Sequence, residues 1–231
     1  EEICTKLPKD RQTLLFSATM PPVIKKLADK FLNDPKRIEV ARPATTNTNI
    51  TQRIVETTSM KKRETLRQLL EADNVQTAII FCNRKREVAT LHRSLVRHGF
   101  NAVALHGDMD QSARTAALDS FRAGDAKLLI ASDVAARGLD IPDVSHVYNF
   151  DVPHHAEDYV HRIGRTGRAG RKGSAYTIVT VDDRKSLAAV EAMIKTSIDY
   201  QGPTLDDLPV DESADSAERR GSRSRGRRGD K

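Results

Sequence analysis

The chain has 231 residues, with 38 Lys or Arg against 32 Asp or Glu and a formal net charge of +6. That length suits one generous α/β domain with flanking segments and is short for two complete domains, while the modest basic excess suits a polyanionic partner without requiring one. Only Cys4 and Cys82 occur, far apart and without metal-ligand spacing, which argues against a disulfide framework and a zinc site and for a reducing, cytoplasmic setting. No apolar run approaches the roughly 18–20 residues of a membrane span, so no membrane partner is expected. The start resembles neither a signal nor a transit peptide and reads as a cut through a larger protein.

In chain order, residues 12–16 are short and apolar, and the turn Ser17-Ala18-Thr19 follows. Met20-Pro21-Pro22 then opens a helical pattern through Val23, Ile24, Leu27, Ala28 and Phe31, since proline fits a helix entrance. Residues 37–41 read as one more strand, closing a first segment at 1–41. The Thr, Asn and Pro content that follows predicts a linker at 42–52.

Residues 53–200 then alternate. The expected strands are 53–58, 77–82, 102–105, 127–131, 145–150 and 175–181, and the expected helices 61–72, 85–98, 111–121, 156–163 and 184–198. Apolar strands separated by amphipathic helices predict an α/β fold, a mostly parallel sheet with helices on both faces. From 201 to 231 apolar periodicity ends. Acidic residues come first, then Arg219, Arg220, Arg223, Arg225, Arg227 and Arg228 spaced by Gly and Ser. Such a tail cannot offset its ordering entropy, so disorder is expected, with the basic end open to RNA or to an acidic surface. Its seven basic and seven acidic residues cancel, which leaves the net charge to residues 1–200.

In open α/β sheets ligands gather beyond the carboxyl ends of the strands, so polar residues after apolar runs are the candidates for chemistry. The most constrained string is His161-Arg162-Ile163-Gly164-Arg165-Thr166-Gly167-Arg168, where glycines permit tight backbone and guanidinium groups offer planar, permanent donors for phosphate. A second string runs from Ala131-Ser132-Asp133-Val134 through Arg137-Gly138 to Asp140. A carboxylate there can accept from a ribose, and backbone N–H groups with a hydroxyl can hold phosphate. Taken alone, Asp140 could equally cap local backbone.

The two strings resemble motifs V and VI of the DEAD-box RNA helicases, and Ser17-Ala18-Thr19 resembles their motif III. Phe81-Cys82-Asn83 is similar to motif IV, His106-Gly107-Asp108 with Gln111 and Arg114 to the Gln-x-x-Arg motif, and residues 148–153 to the segment after motif V. The resemblance covers nearly all of residues 12–198. It implies a RecA-like helicase C-terminal domain of the P-loop NTPase type, preceded at 1–41 by the end of a first RecA-like domain.

The resemblance also implies roles. Arg165 and Arg168 would reach the γ-phosphate of ATP bound to the other half as arginine fingers. Asp140 would contact the ribose, with Gly138 allowing close approach. His161 and Arg162 would couple the nucleotide to the interdomain contact, and Ser17 and Thr19 would link hydrolysis to strand separation. Gly107, Asp108, Arg114 and Ser132 would line the RNA backbone, with Asn83 and Arg84 near it. Ser132 stands where the family pattern has threonine and keeps the hydroxyl.

No Gly-x-x-x-x-Gly-Lys-Ser/Thr string occurs in the chain, so the phosphate cradle, the Mg²⁺ ligands and the water-positioning glutamate are expected on a preceding domain, and the fragment alone is expected to be inactive. His154 and His155 have no third ligand in view and are not expected to bind metal. A second reading is a docking module. The compact linker and short tail resemble bacterial members of the family, which can associate with RNA-degrading enzymes or ribosome precursors.

Overall fold

The computed structural model describes residues 2–8, 10–17, 20, 22–39, 49–73 and 75–202. Thr19, residues 40–48 of the last expected strand and linker, and the tail from 203 lie outside the described residues. The chain divides into two compact units, Glu1–Arg42 and Pro43–Lys231.

In the first unit the described helices are α1 (Glu2–Thr5) and α2 (Pro22–Phe31). Residues 37–39 adopt no strand, contrary to expectation, and the short apolar residues 12–16 form none either. A strand needs a partner, and the described residues of this unit supply none. Leu14, Phe16 and Ile38 accordingly stay 67%, 89% and 80% exposed.

The second unit runs β1 (Ile50–Glu56), α3 (Lys62–Ala72), β2 (Ala78–Phe81), α4 (Lys85–Arg97), β3 (Ala102–Leu105), α5 (Gln111–Ala123) and β4 (Leu128–Ala131). It continues with α6 (Asp133–Ala136), β5 (His146–Asn149), α7 (Ala156–Ile163), β6 (Gly173–Val179), α8 (Arg184–Ile194) and β7 (Asp199–Tyr200). The seven strands form one sheet in the order β3-β4-β2-β5-β6-β1-β7, and every neighbouring pair is parallel. The predicted α/β architecture is borne out. Most other limits shift by one or two residues; the larger differences are that residues 50–52, assigned to the linker, open β1, that α8 stops at Ile194 because Lys195 turns left-handed at φ 57°, and that α6 and β7 were not foreseen.

Alternation along the strands builds two cores. Ile54, Ile79, Phe81, Leu129, Ala131, Val147, Ala175 and Val179 face one side, where α5, α6, α7 and α8 pack. Val55, Ala78, Ile80, Leu128, Ile130, Tyr148, Tyr176 and Ile178 face the other, under α3 and α4. This division follows from the connections. Crossovers from β1 to β2 and from β2 to β3 step one way along the sheet, and their helices α3 and α4 share a face. All later crossovers step the other way, and their helices share the opposite face, as a single right-handed crossover rule demands. Because the strands are parallel, their carboxyl ends meet at one rim, where Asn83, His106-Gly107, Ser132-Asp133 and Asp151 leave β2, β3, β4 and β5.

Candidate nucleotide and nucleic-acid site

A groove of about 440 Å³ lies on this rim, lined among others by Asn83, Lys85, Gly107, Ser132, Arg137 and His154. Three of the residues expected along RNA, Asn83, Gly107 and Ser132, therefore come together as the sequence suggested. Arg84 leads α4 and lines the adjoining groove of about 430 Å³ with Asn83 and His154. Asp108 accepts from Lys85 Nζ at 2.8 Å, and this bond, with the ammonium charge, holds its carboxyl below the usual range. Asp110 caps α5 by accepting from the Ala113 N–H at 2.8 Å, which sets the first turn that carries Arg114. Arg114 Nε and His106 Nδ1 are buried without a hydrogen-bond partner among the described residues. Buried donors are normally satisfied, so the Arg114 fork fits an anionic ligand at this rim.

Beneath the groove lies Arg162, 1% exposed. Its Nε and Nη2 grip Asp133 at 2.7 and 2.6 Å, Nη2 also reaches Asn83 Oδ1 at 2.8 Å, and Nη1 donates to the Asp151 carbonyl at 2.7 Å and to Asn149 Oδ1 at 3.4 Å. The guanidinium also lies 5.3 Å from the Phe81 ring centre. All five N–H donors are thus engaged. Arg162, expected to couple the nucleotide to the interdomain contact, ties together the ends of β2, β4 and β5. Asn83 is part of that tie: its side chain donates to the Val152 carbonyl at 2.8 Å and its N–H to Asp151 Oδ2 at 2.9 Å. Asp151 Oδ1 accepts from Lys62 Nζ at 2.8 Å. His161 is exposed on α7, its Nδ1 3.9 Å from Asp158, and Asp158 also pairs with Arg137.

Arg165 and Arg168 are not on this rim. Thr166 bridges to Val144, just ahead of β5, and donates through Oγ1 to the Val144 carbonyl, while Val144 N donates to the Arg165 carbonyl at 3.1 Å. A Cβ at Gly173, where β6 starts, would stand 2.1 Å from Thr166 Oγ1 and 2.8 Å from Gly167 N. The arginine loop is therefore wedged against the amino ends of β5 and β6. Asp140 belongs to the segment leading into Val144. Its carbonyl accepts from Arg122 at 2.7 Å, while its carboxylate, 99% exposed, has Arg122 only at 3.9 Å. Gly138 takes φ 72°, which explains glycine there by backbone conformation as well as by room for a ligand.

Arg168 donates to the Gly164 carbonyl at 2.7 Å, and its N–H approaches Asp143. The half-buried Arg165 has no side-chain partner among the described residues, and burial, followed by the Arg168 charge, lowers its pKa. The expected site is thus two sites at opposite ends of the strands. The strand-end rule locates only the first. Ser17 lies in the first unit.

Sequence reasoning assigned no role to Asp133, Asn149 or Asp151. Asp133 and Asp151 follow buried strands almost directly and satisfy the same polar-after-apolar criterion that selected Ser132. Gly173 reads in the sequence as a glycine of chain reversal between elements; its closest constraint is a neighbour distant in sequence.

A family model described as the helicase conserved C-terminal domain matches residues 61–170. Fold and site together define the chain's larger unit as a RecA-like helicase C-terminal domain. The chain is 46% identical over 208 residues to the DEAD-box ATP-dependent RNA helicase CshA of Bacillus licheniformis, covering 90% of this chain and 43% of that protein. It is 43% identical over 211 residues to RhpA of Helicobacter pylori, covering 91% and 43%. Among solved structures, E. coli DEAD-box protein SrmB bound to regulator of ribonuclease activity A matches with TM-score 0.64 and 39% identity over 67% of this chain and 91% of that one. S. cerevisiae Dbp5 bound to RNA and ADP BeF3 matches with TM-score 0.77 and 30% identity over 95% and 57%. The chain belongs to the DEAD-box RNA helicase family and spans about 43% of the length of the curated relatives it matches.

Proposed function

We propose that this chain supplies the second half of an ATP-dependent RNA helicase, which closes with a first RecA-like domain over ATP and RNA to remodel duplexes. The observation that carries the reading is Arg165, a half-buried guanidinium without a side-chain partner among the described residues, on a loop clamped between Val144 and Gly173. A charge held in place and left unsatisfied suits an anion delivered from outside the domain. Arg168 and Asp140 extend toward the same ligand, for its phosphates and ribose respectively.

ATP supplies the labile phosphoanhydride when bound. This chain's residues contribute fixed positive charge and a ribose acceptor. Among the described residues no group of three His, Cys, Asp or Glu is arranged to hold a metal. Mg²⁺ and its ligands are assigned to the first domain.

The rim groove takes the RNA backbone along Asn83, Arg84, Gly107, Asp108, Arg114 and Ser132, with affinity from phosphate contacts and little base specificity. Residues 1–41, with Ser17 and Thr19, form the end of the first domain; the exposed Leu14, Phe16 and Ile38 fit strands whose sheet partners lie in that domain. A docking role for a protein partner draws support from the SrmB match, whose structure holds a ribonuclease regulator. No described helix is long and apolar enough to cross a membrane, and a cytoplasmic role fits.

The test is RNA-stimulated ATP hydrolysis by the chain joined to its preceding domain. Arg165→Ala is expected to lower turnover about a thousandfold or more. Unchanged turnover would remove Arg165 from catalysis, and RNA-dependent turnover by the present chain alone would contradict the two-half reading.

A further inference from the structure

Helix α4 buries Val88, Leu91 and Leu95. Opposite them, at spacings of seven and four residues, stand Arg86, Arg93 and Arg97, all exposed. At 3.6 residues per turn these three fall within an arc of about 40°, centred on the outward direction, and span about 16 Å along the axis. Glu87, the acidic residue of this helix, lies about 100° around from Arg86. Neighbouring α3 presents Arg63, Glu64, Gln68 and Glu71 outward, a surface of mixed charge beside the basic line of α4.

The line has a local cost. Arg93 and Arg97 are like charges one turn apart, and Arg86 sits in the first turn, where the helix dipole disfavours a cation. Asp108 is near enough for its charge to act on Arg86, but none of the three has a hydrogen-bond or ion-pair partner among the described residues. Elsewhere in this unit arginines are matched: Arg53 to Asp199, Arg122 to Asp119, Arg162 to Asp133 and Arg171 to Asp143. Arg84, Arg114 and Arg165, assigned above to RNA or ATP, also lack an acidic partner among the described residues, as do Arg63 and Arg67 on α3.

We infer that the α4 arginine line is a second RNA track, which holds the phosphates of the strand segment flanking the rim groove. The inference rests on the RNA reading of the rim, and it adds where the RNA goes next. Arg84 and Lys85 line the rim grooves and immediately precede Arg86, so the positive line continues that surface down the outside of the domain. An acidic protein would fit the charge but not the texture. Protein interfaces centre on buried apolar or aromatic anchors, and here the one large exposed apolar side chain is Val96, on the flank of the line.

The test uses this chain and labelled oligouridylates of two lengths, about eight nucleotides to fill the rim alone and about thirty to run beyond it. In the triple variant Arg86→Gln, Arg93→Gln, Arg97→Gln the long RNA is expected to bind at least about tenfold more weakly. Its salt dependence should flatten by about 2 in log–log slope, from roughly 0.7 per single-strand phosphate contact. Binding of the short RNA should stay within about twofold, and glutamine keeps helix propensity. Equal loss at both lengths, no loss at the long one, or failure of the wild-type chain to bind the long RNA would overturn the inference. So would arginine-dependent binding of polyglutamate matching that of RNA, which would make the line a docking site for acidic protein. Stripe-dependent binding of the long RNA without any binding of the short one would instead sustain the track and remove the rim reading.

Discussion

A lysine at position 162 would keep the charge and lose the fork. Arg162 spends all five donors on Asp133, Asn83, Asn149 and the Asp151 carbonyl inside the domain, and no ammonium reaches four acceptors in that plane. Arg162→Met leaves Asp133 without its partner, a loss of about 3–5 kcal/mol for a buried pair. The lower end is expected because Asp133 retains 20% exposure of its side chain. Urea unfolding checks this; an unchanged midpoint would show the network to be energetically idle. That Arg162 is the internal arginine was legible in part: Asp158, Tyr159, Arg162 and Ile163 are the buried residues of α7, and their spacing is that of one helical face. The motif string obscured it by presenting three arginines as equivalent. Arg165 and Arg168 differ from Arg162 only through contacts that no local pattern encodes.

Elements were more legible than residues. Strand β3 and helix α7 match their expected limits at both ends, because apolar alternation and an apolar stripe define them locally. The end of α8 was missed since its left-handed residue is Lys195 rather than a glycine. Pairing of β5 with β6 also creates something no single strand shows. Tyr148 and Tyr176 stack at 5.3 Å and both donate to Asp73, at 3.1 and 3.3 Å, at the end of α3. His146 stacks beside Tyr148, its Nδ1 2.8 Å from the Ser145 hydroxyl and its Nε2 3.9 Å from Asp73. Burial lowers the His146 pKa, and the Asp73 charge opposes this only in part. The folded chain therefore binds this proton less readily than the unfolded chain. Stability from this group is full above the ordinary histidine value of about 6.5 and declines as pH falls below it. Urea midpoints measured from pH 7.5 down to pH 5 should fall more for wild type than for His146→Gln; parallel curves would exclude His146 as the cause.

At the scale of the molecule, the fold class was readable because alternating strands and helices admit few architectures. The division of the site was not, because the strand-end rule describes a ligand in a sheet's own crevice, whereas the arginine loop lies at the amino ends of β5 and β6. Helix α7 joins the two places. Arg162 is anchored in Asn83, Asp133 and Asp151 under the rim groove, and three residues later Arg165 begins the loop wedged against β5 and β6. If the rim binds RNA as proposed, a shift there would be passed through this tie to the arginine loop, and Asp133 would act as a positioning residue for the proposed hydrolysis. In the chain joined to its first domain, Asp133→Asn is expected to leave basal ATP hydrolysis within a few-fold of wild type and to lower its stimulation by saturating RNA at least about tenfold, a coupling loss of roughly 1.4 kcal/mol. Measuring turnover with and without RNA, together with RNA affinity, separates this outcome from simple instability, which would depress both rates. If stimulation persists at the wild-type ratio while RNA still binds, the signal does not travel through α7.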